Sequence, residues 1–220
     1  MLSVRFLPNL ERQPINHHYP MKRSILTLLA AFTAFAPLTA TGEPPTAKRV
    51  EEWRRKAEEG SSSAQFNLGL MYARGDGVQQ NYPEAAKWYR MAAEKGDVSA
   101  QYRLGLMYCE GQGVRQDYIE AARLFRLLAE KGYPEAQFEL GSMYAAGQGV
   151  RQDIPESIRL YRLAAGKGNA RADYNLGLAY ENGQGVRQDK VAAKEWYGKA
   201  CDNGMQKGCD AYRRLNEAGF

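Results

Sequence analysis

A period of 36 residues governs this chain. The heptapeptide GQGVRQD occurs at 111–117, 147–153 and 183–189, and a near copy, GDGVQQN, at 75–81. On that period AQFNLGLMY, AQYRLGLMY, AQFELGSMY and ADYNLGLAY fall into register, starting at Ala64, Ala100, Ala136 and Ala172. Self-similarity at about 20–50 residues means that each unit is one supersecondary element, able to cover its apolar side only by stacking on a copy of itself. An ordinary single-core globule is thereby excluded.

Each unit reads as a helical hairpin. Helix A of the first unit runs from about Ala64 to Arg74, with Ala64, Leu68 and Tyr72 on one face and Phe66, Leu70 and Ala73 nearly opposite. A helix apolar on two sides packs on both, or packs on one and offers the other. Gly69, Gly105, Gly141 and Gly177 lie inside helix A. Such a glycine costs about 1 kcal/mol against Ala, so its recurrence implies a close helix–helix approach. Helix B opens on Asn81, Asp117, Asp153 or Asp189 as N-cap, with Glu84, Glu120 and Glu156 three residues on, the pattern of a capping box; the fourth unit has Ala192 there. Its first core stripe is Ala85, Trp88, Tyr89 and Ala92, and Gly96, Gly132, Gly168 and Gly204 end the B helices in the left-handed conformation.

The Gly-x-Gly segment is accordingly the turn between the helices. The first glycine stops helix A, the second takes positive φ, and Val114, Val150 and Val186 fold back onto the hairpin. A phosphate cradle would need a preceding strand or a G-K-[ST] sequence, and the chain has neither.

The flanks keep the period. AKRVEEWRRKAEEG at 47–60 matches a helix B without its helix A, and 208–217 falls where a fifth helix A would lie. The expected architecture is all-α: an α/α superhelix of antiparallel helix pairs, right-handed, with about nine helices. Its parts are a capping helix at 47–63, repeats at 64–99, 100–135, 136–171 and 172–207, and a capping helix at 208–220.

The segment before residue 47 has a different character. MKRSILTLLAAFTAFAPLTATGEP at 21–44 has a short basic region, an apolar run of about 11 residues and small residues before a Pro pair, the layout of a secretory signal peptide. That run is shorter than the roughly 20 residues needed to span a bilayer. Cleavage is expected after Gly42, with Ala36 as the alternative, and no Cys near either site provides for a lipid anchor. Residues 1–20 are polar and unpatterned; they read as an over-called extension before a true start at Met21, or as a long basic region of the same signal. Residues 43–46 form a short linker. The expected destination is the periplasm or the exterior, without stable membrane insertion.

Removing 1–42 changes the chemistry on offer. Net charge falls from +5 to +2, with 26 basic and 24 acidic residues, which gives no electrostatic case for nucleic-acid binding. Both histidines, His17 and His18, also go. Imidazole-based catalytic dyads, triads and metal sites are then excluded. No catalytic residue, metal ligand or cofactor site is assigned.

The pattern A-x-x-x-L-G-x-x-Y, G-x-G-V, D-x-x-E-A and A-A-x-x-G resembles the Sel1-like repeat, a relative of the tetratricopeptide repeat, over nearly all of 47–217. The resemblance implies a superhelix that acts as adaptor or scaffold for another protein. By analogy with tetratricopeptide arrays, the concave positions are Phe66, Leu70, Ala73 and Arg74; Tyr102, Leu106, Cys109 and Glu110; Phe138, Ser142, Ala145 and Ala146; and Tyr174, Leu178, Glu181 and Asn182. The aromatic row Phe66, Tyr102, Phe138 and Tyr174 either lines a groove for a peptide or packs repeat on repeat. Arg74, Glu110, Glu181 and Asn182 vary between units and are the candidates for partner specificity.

Cys201 and Cys209 stand at facing helix ends, eight residues apart, a spacing that also resembles cysteine-rich Sel1-like proteins with cross-linked helices. They read as a disulfide that an exported chain keeps; the alternative is two small packing residues that stay reduced. Cys109 replaces the Ala of other units and reads as a packing residue, with a reactive thiol as the alternative. The contending function is enzymatic, since some cysteine-rich relatives carry β-lactamase or penicillin-binding names. The chain has no S-x-x-K, S-D-N or K-T-G to support it.

Overall fold

The computed structural model describes residues 47–220; the expected extension at 1–20, leader at 21–42 and linker at 43–46 lie outside them. The described residues form ten α-helices and no strand. These are α1 (Ala47–Glu58), α2 (Ser62–Arg74), α3 (Tyr82–Glu94), α4 (Val98–Glu110), α5 (Tyr118–Glu130), α6 (Pro134–Ala146), α7 (Ile154–Ala165), α8 (Ala170–Asn182), α9 (Lys190–Asp202) and α10 (Gln206–Glu217). The count exceeds the expected nine because four hairpins and two single capping helices make ten. Helices A are α2, α4, α6 and α8; helices B are α3, α5, α7 and α9. Each helix A begins two residues ahead of the alanine that marks its unit, at Ser62, Val98, Pro134 and Ala170. Ser61, Asp97 and Asn169 cap three of these starts through their side-chain oxygens.

The core is a row of seams. Ala85, Tyr89 and Ala92 of α3 bury against Ala100, Leu104 and Met107 of α4 and Leu124 of α5. One period later, Ala121, Phe125 and Leu128 of α5 meet Ala136, Leu140 and Met143 of α6, with Leu160 of α7. Helix B of each unit thus shares its core with helix A of the next. The turn valines close these seams: Val114 packs on the first and Val150 on the second. At the ends, Val50 and Ala57 of α1 cover Leu68 and Met71, and Ala211 and Leu215 of α10 cover Ala193 and Tyr197.

The turn is built from backbone bonds. Both glycines of each Gly-x-Gly have positive φ, as at Gly111 (69°) and Gly113 (67°). A Cβ on Gly113 would fall on the backbone of Tyr82, the first residue of α3. The second glycine therefore lets the turn of one repeat rest on the helix B start of the repeat before it. Asn81, Asp117, Asp153 and Asp189 cap helix B as expected. The capping box is only half made, however. The N-cap backbone N–H donates to the carbonyl of Tyr72, Tyr108, Tyr144 or Tyr180 at 2.9–3.0 Å. The glutamates turn to the helix surface instead, Glu120 to Arg123 and Glu156 to Arg159.

Candidate functional site

The candidate site is the outward side of the A helices. Ala64, Leu68 and Met71 are buried, whereas Phe66, Leu70 and Ala73 are half-buried and lean on the core edge. The same split recurs with Tyr102, Leu106 and Cys109. Helix A is thus packed on one side and partly open on the other.

The four aromatic residues do not stack on one another. Each faces a ring of helix B in its own hairpin: Phe66 on Tyr89 (5.7 Å between centroids), Tyr102 on Phe125 (5.7 Å), Phe138 on Tyr161 (5.6 Å) and Tyr174 on Tyr197 (5.4 Å). These contacts explain the glycine inside helix A, because a Cβ on Gly105 would lie 2.7 Å from the Phe125 ring. Phe138 is 8% exposed and belongs to the core; Phe66, Tyr102 and Tyr174 are half-buried.

Polar side chains tie successive A helices across this face. The Tyr102 hydroxyl of α4 donates to Glu139 of α6 at 3.2 Å. Arg171 of α8 pairs with the same carboxylate at 2.9 Å, and its guanidinium lies 4.1 Å over the Phe138 ring. Burial works against the Arg171 charge, but Glu139 and Tyr102 together outweigh it, so the guanidinium is held more firmly protonated than usual. Burial raises the Tyr102 phenol, and Glu139 raises it further.

The residues chosen for specificity divide into two kinds. Glu181 is committed within the chain, accepting from Tyr197 and from Arg214. Asn182 donates to the Leu178 carbonyl, and Ser142 to the Phe138 carbonyl, each at 3.0 Å. Arg74 is exposed, Glu110 half-buried. Burial first, then the nearby Glu139 charge, pushes the Glu110 carboxyl above its ordinary range. Leu106 and Leu178 are half-buried and Ala146 exposed. Burial, with Glu139 and Glu110, pushes the Cys109 thiol up to about 12, the opposite of an activated nucleophile.

Cys201 of α9 and Cys209 of α10 are joined by a disulfide, their Cα atoms 4.6 Å apart. No cluster of three His, Cys, Asp or Glu side chains placed to hold a metal occurs among the described residues. No helix among them is long and apolar enough to cross a membrane.

One recurring bond escaped the sequence reading. Arg54, Arg90, Arg126 and Arg162 each donate to the hydroxyl of the tyrosine 18 residues later, Tyr72, Tyr108, Tyr144 and Tyr180. The signal was present as an Arg in the capping helix α1 and in helices B α3, α5 and α7, each followed at half the period by a Tyr of helix A.

Hairpins that share each core with the next, closed by single helices at both ends, define an α-solenoid repeat protein. Within that class the chain belongs to the Sel1 repeat family, whose repeat matches residues 62–97, 98–133, 134–169 and 170–205. Sel1 repeats commonly mediate protein–protein interaction, and proteins built from them are generally non-catalytic scaffolds. A protective antigen present in uropathogenic Escherichia coli strains, displaying the same fold, is 40% identical with a TM-score of 0.73 over 78% of this chain and 37% of its own. A Sel1 repeat protein from Oxalobacter formigenes is 34% identical with a TM-score of 0.71, over 76% of this chain and 66% of that one. The chain thus spans less than two thirds of either structure. No curated protein matches it.

Proposed function

We propose that this chain is a non-catalytic interaction scaffold of the bacterial cell envelope, exported through the segment at 21–42, which holds a protein partner on the open side of its A helices. The observation that carries the reading is the half-buried apolar strip Phe66, Leu70, Tyr102, Leu106, Tyr174 and Leu178, repeated from hairpin to hairpin and only partly covered by the fold. Apolar and aromatic side chains in such partly covered positions dominate the energy of protein interfaces. Export is supported by the layout of residues 21–42 and by the Cys201–Cys209 bond, which persists in an oxidising compartment.

The test pairs affinity capture with localisation. The full chain is expressed in a bacterial host, envelope and cytosol are separated, and the mature mass is determined. Wild type and a Leu106→Ala, Leu178→Ala variant are then used as bait against envelope extract. The expected result is an envelope protein lacking residues 1–42, with one captured protein lost from the variant. Retention of the leader in a cytosolic product removes the export reading, and an unchanged captured set removes the helix-A face.

A further inference from the structure

All A-to-B turns emerge on one edge of the hairpin stack, and that edge carries charge which the helix-A face does not use. Arg90, Arg126 and Arg162 are held there by the hydroxyls of Tyr108, Tyr144 and Tyr180, at 3.2, 3.3 and 3.0 Å, not by carboxylates. The turn of the following repeat adds Arg115, Arg151 and Arg187, all exposed. None of these six arginines forms an ion pair with a described residue, whereas Arg55, Arg123, Arg159 and Arg214 each do. The first unit lacks the feature: Arg54 is paired with Glu51, and its turn carries Gln79.

The pairs sit on a firm base. Arg90 and Arg115 line one open groove of ≈ 700 Å³ together with Tyr108 and Asp117. The Asp117 carboxylate is engaged by the N–H groups of Ile119 and Glu120 at the start of α5. Next to each turn arginine, Gln116, Gln152 or Gln188 donates its amide to the carbonyl of Cys109, Ala145 or Glu181, at 2.7–2.8 Å. A ligand reaching this edge meets guanidinium groups whose backbone is already ordered, which lowers the entropic cost of binding.

We infer that this edge is a docking ledge for an acidic polypeptide segment, whose carboxylates engage Arg90 with Arg115, Arg126 with Arg151, and Arg162 with Arg187 in succession. Guanidinium is the side chain best matched to a carboxylate, through two parallel N–H···O bonds. The rungs lie on α3, α5 and α7, one repeat apart, and an extended chain advances ~3.3 Å per residue, so carboxylates set a few residues apart along it can meet successive rungs. A lipid surface fits less well. The apolar residues of this edge, Ile119 at 73% exposure and Val191 at 54%, stand singly on separate repeats, not as the continuous apolar face that interfacial binding uses. A nucleic acid fits less well too, because the basic and acidic residues of 43–220 nearly balance.

The test titrates the full chain with a fluorescein-labelled peptide of roughly twelve residues, carrying Asp at every third position between glycines, and with its Asn counterpart. The key variant is Arg115→Gln, Arg151→Gln, Arg187→Gln, which copies the residue that the first turn already has; circular dichroism melts check its fold, and the matching triple Lys variant restores the charge. Wild type is expected to bind the Asp peptide with an affinity that falls as salt rises, and not to bind the Asn peptide. The Gln variant should bind the Asp peptide about tenfold more weakly, and the Lys variant should recover part of that loss. A Leu106→Ala, Leu178→Ala variant should bind as wild type does, which separates this ledge from the helix-A face. Equal binding of the two peptides, or an unchanged affinity in the Gln variant, overturns the inference. So does tighter, equally arginine-dependent binding to phosphatidylglycerol vesicles or to a thymidine oligonucleotide, which would reassign the edge to lipid or nucleic acid.

Discussion

Glu181 of α8 holds Arg214 of α10 through both carboxylate oxygens, each 2.7 Å from a guanidinium nitrogen, and takes a third bond of 2.7 Å from the Tyr197 hydroxyl. The Arg214 hydrogen bond is the main reason that the Glu181 carboxyl lies below its ordinary value of 4.5, and the Tyr197 hydrogen bond adds to it. A depressed carboxyl stabilises the fold above its unfolded pKa and loses that contribution as pH falls through its folded pKa. Because Arg214 is more than half exposed, solvent screening limits the effect. Replacing Arg214 by Ala should cost about 0.5–1 kcal/mol near neutrality. Urea denaturation of both proteins, near neutral pH and well below 4.5, should show the difference shrinking in acid. A difference independent of pH would mean that packing of the arginine stem, and not its charge, holds α10.

Reduction of the Cys201–Cys209 bond should loosen the same end. The cross-link closes a short loop, for which the chain-entropy model gives about 2–3 kcal/mol. A Cys201→Ser, Cys209→Ser variant should lose about that much in denaturant titration. Amide exchange should rise first in α9 and α10, the two helices that the bond joins. Uniform acceleration across all ten helices would instead indicate that the stack opens only as a whole.

Gly105 tests the aromatic packing of the hairpin. Gly→Ala inside a helix normally gains about 1 kcal/mol. Here the new methyl would stand 2.7 Å from Phe125, a fully buried ring, and forcing a methyl group into a filled core costs roughly 1–3 kcal/mol. Gly105→Ala should therefore lower the melting temperature, and pairing it with Phe125→Leu should recover part of the loss. A Gly105→Ala protein at least as stable as wild type would contradict the close contact.

The thiol of Cys109 should be slow to react. Raised to about 12, it carries little thiolate at pH 8, so modification by iodoacetamide should run far more slowly in the native protein than in urea. A native rate equal to the unfolded one would mean that the α4 position is open to solvent.

Most of the scaffold was legible because each feature came in four copies. A lone Gly-x-Gly is ambiguous, but a Gly-x-Gly followed each time by a capping Asn or Asp and preceded by the same helix stripe is a turn. The errors have physical origins. Glu84, Glu120 and Glu156 have the spacing of a capping box, yet the N-cap N–H they would bind is already taken by a tyrosine carbonyl of helix A, a partner that sequence spacing does not reveal. Glu181 stood out by differing from Ala73, Cys109 and Ala145 at the same position of the other units, which suggested a free recognition residue. Its partner, Arg214, lies in the terminal helix, where the repeat pattern is altered. The Arg90–Tyr108 bond and its copies fall at half the period, where neither helix read alone gives a reason to look. Phe138 is set apart from the other three rings of its row by its burial and by Arg171 lying over it, neither of which its position in the repeat reveals.

The turn glycine that rests on the preceding helix start, Gly113, Gly149 or Gly185, gives three successive junctions in the stack the same key. A molecule assembled from interchangeable joints has no inherent length. Excising 98–133 would bring α3 directly against α6, where Ala136, Leu140 and Met143 stand in for Ala100, Leu104 and Met107 and Gly149 for Gly113. A lineage with such a chain is free to gain or lose whole hairpins, and so to change the reach of its binding surface, without inventing a new contact.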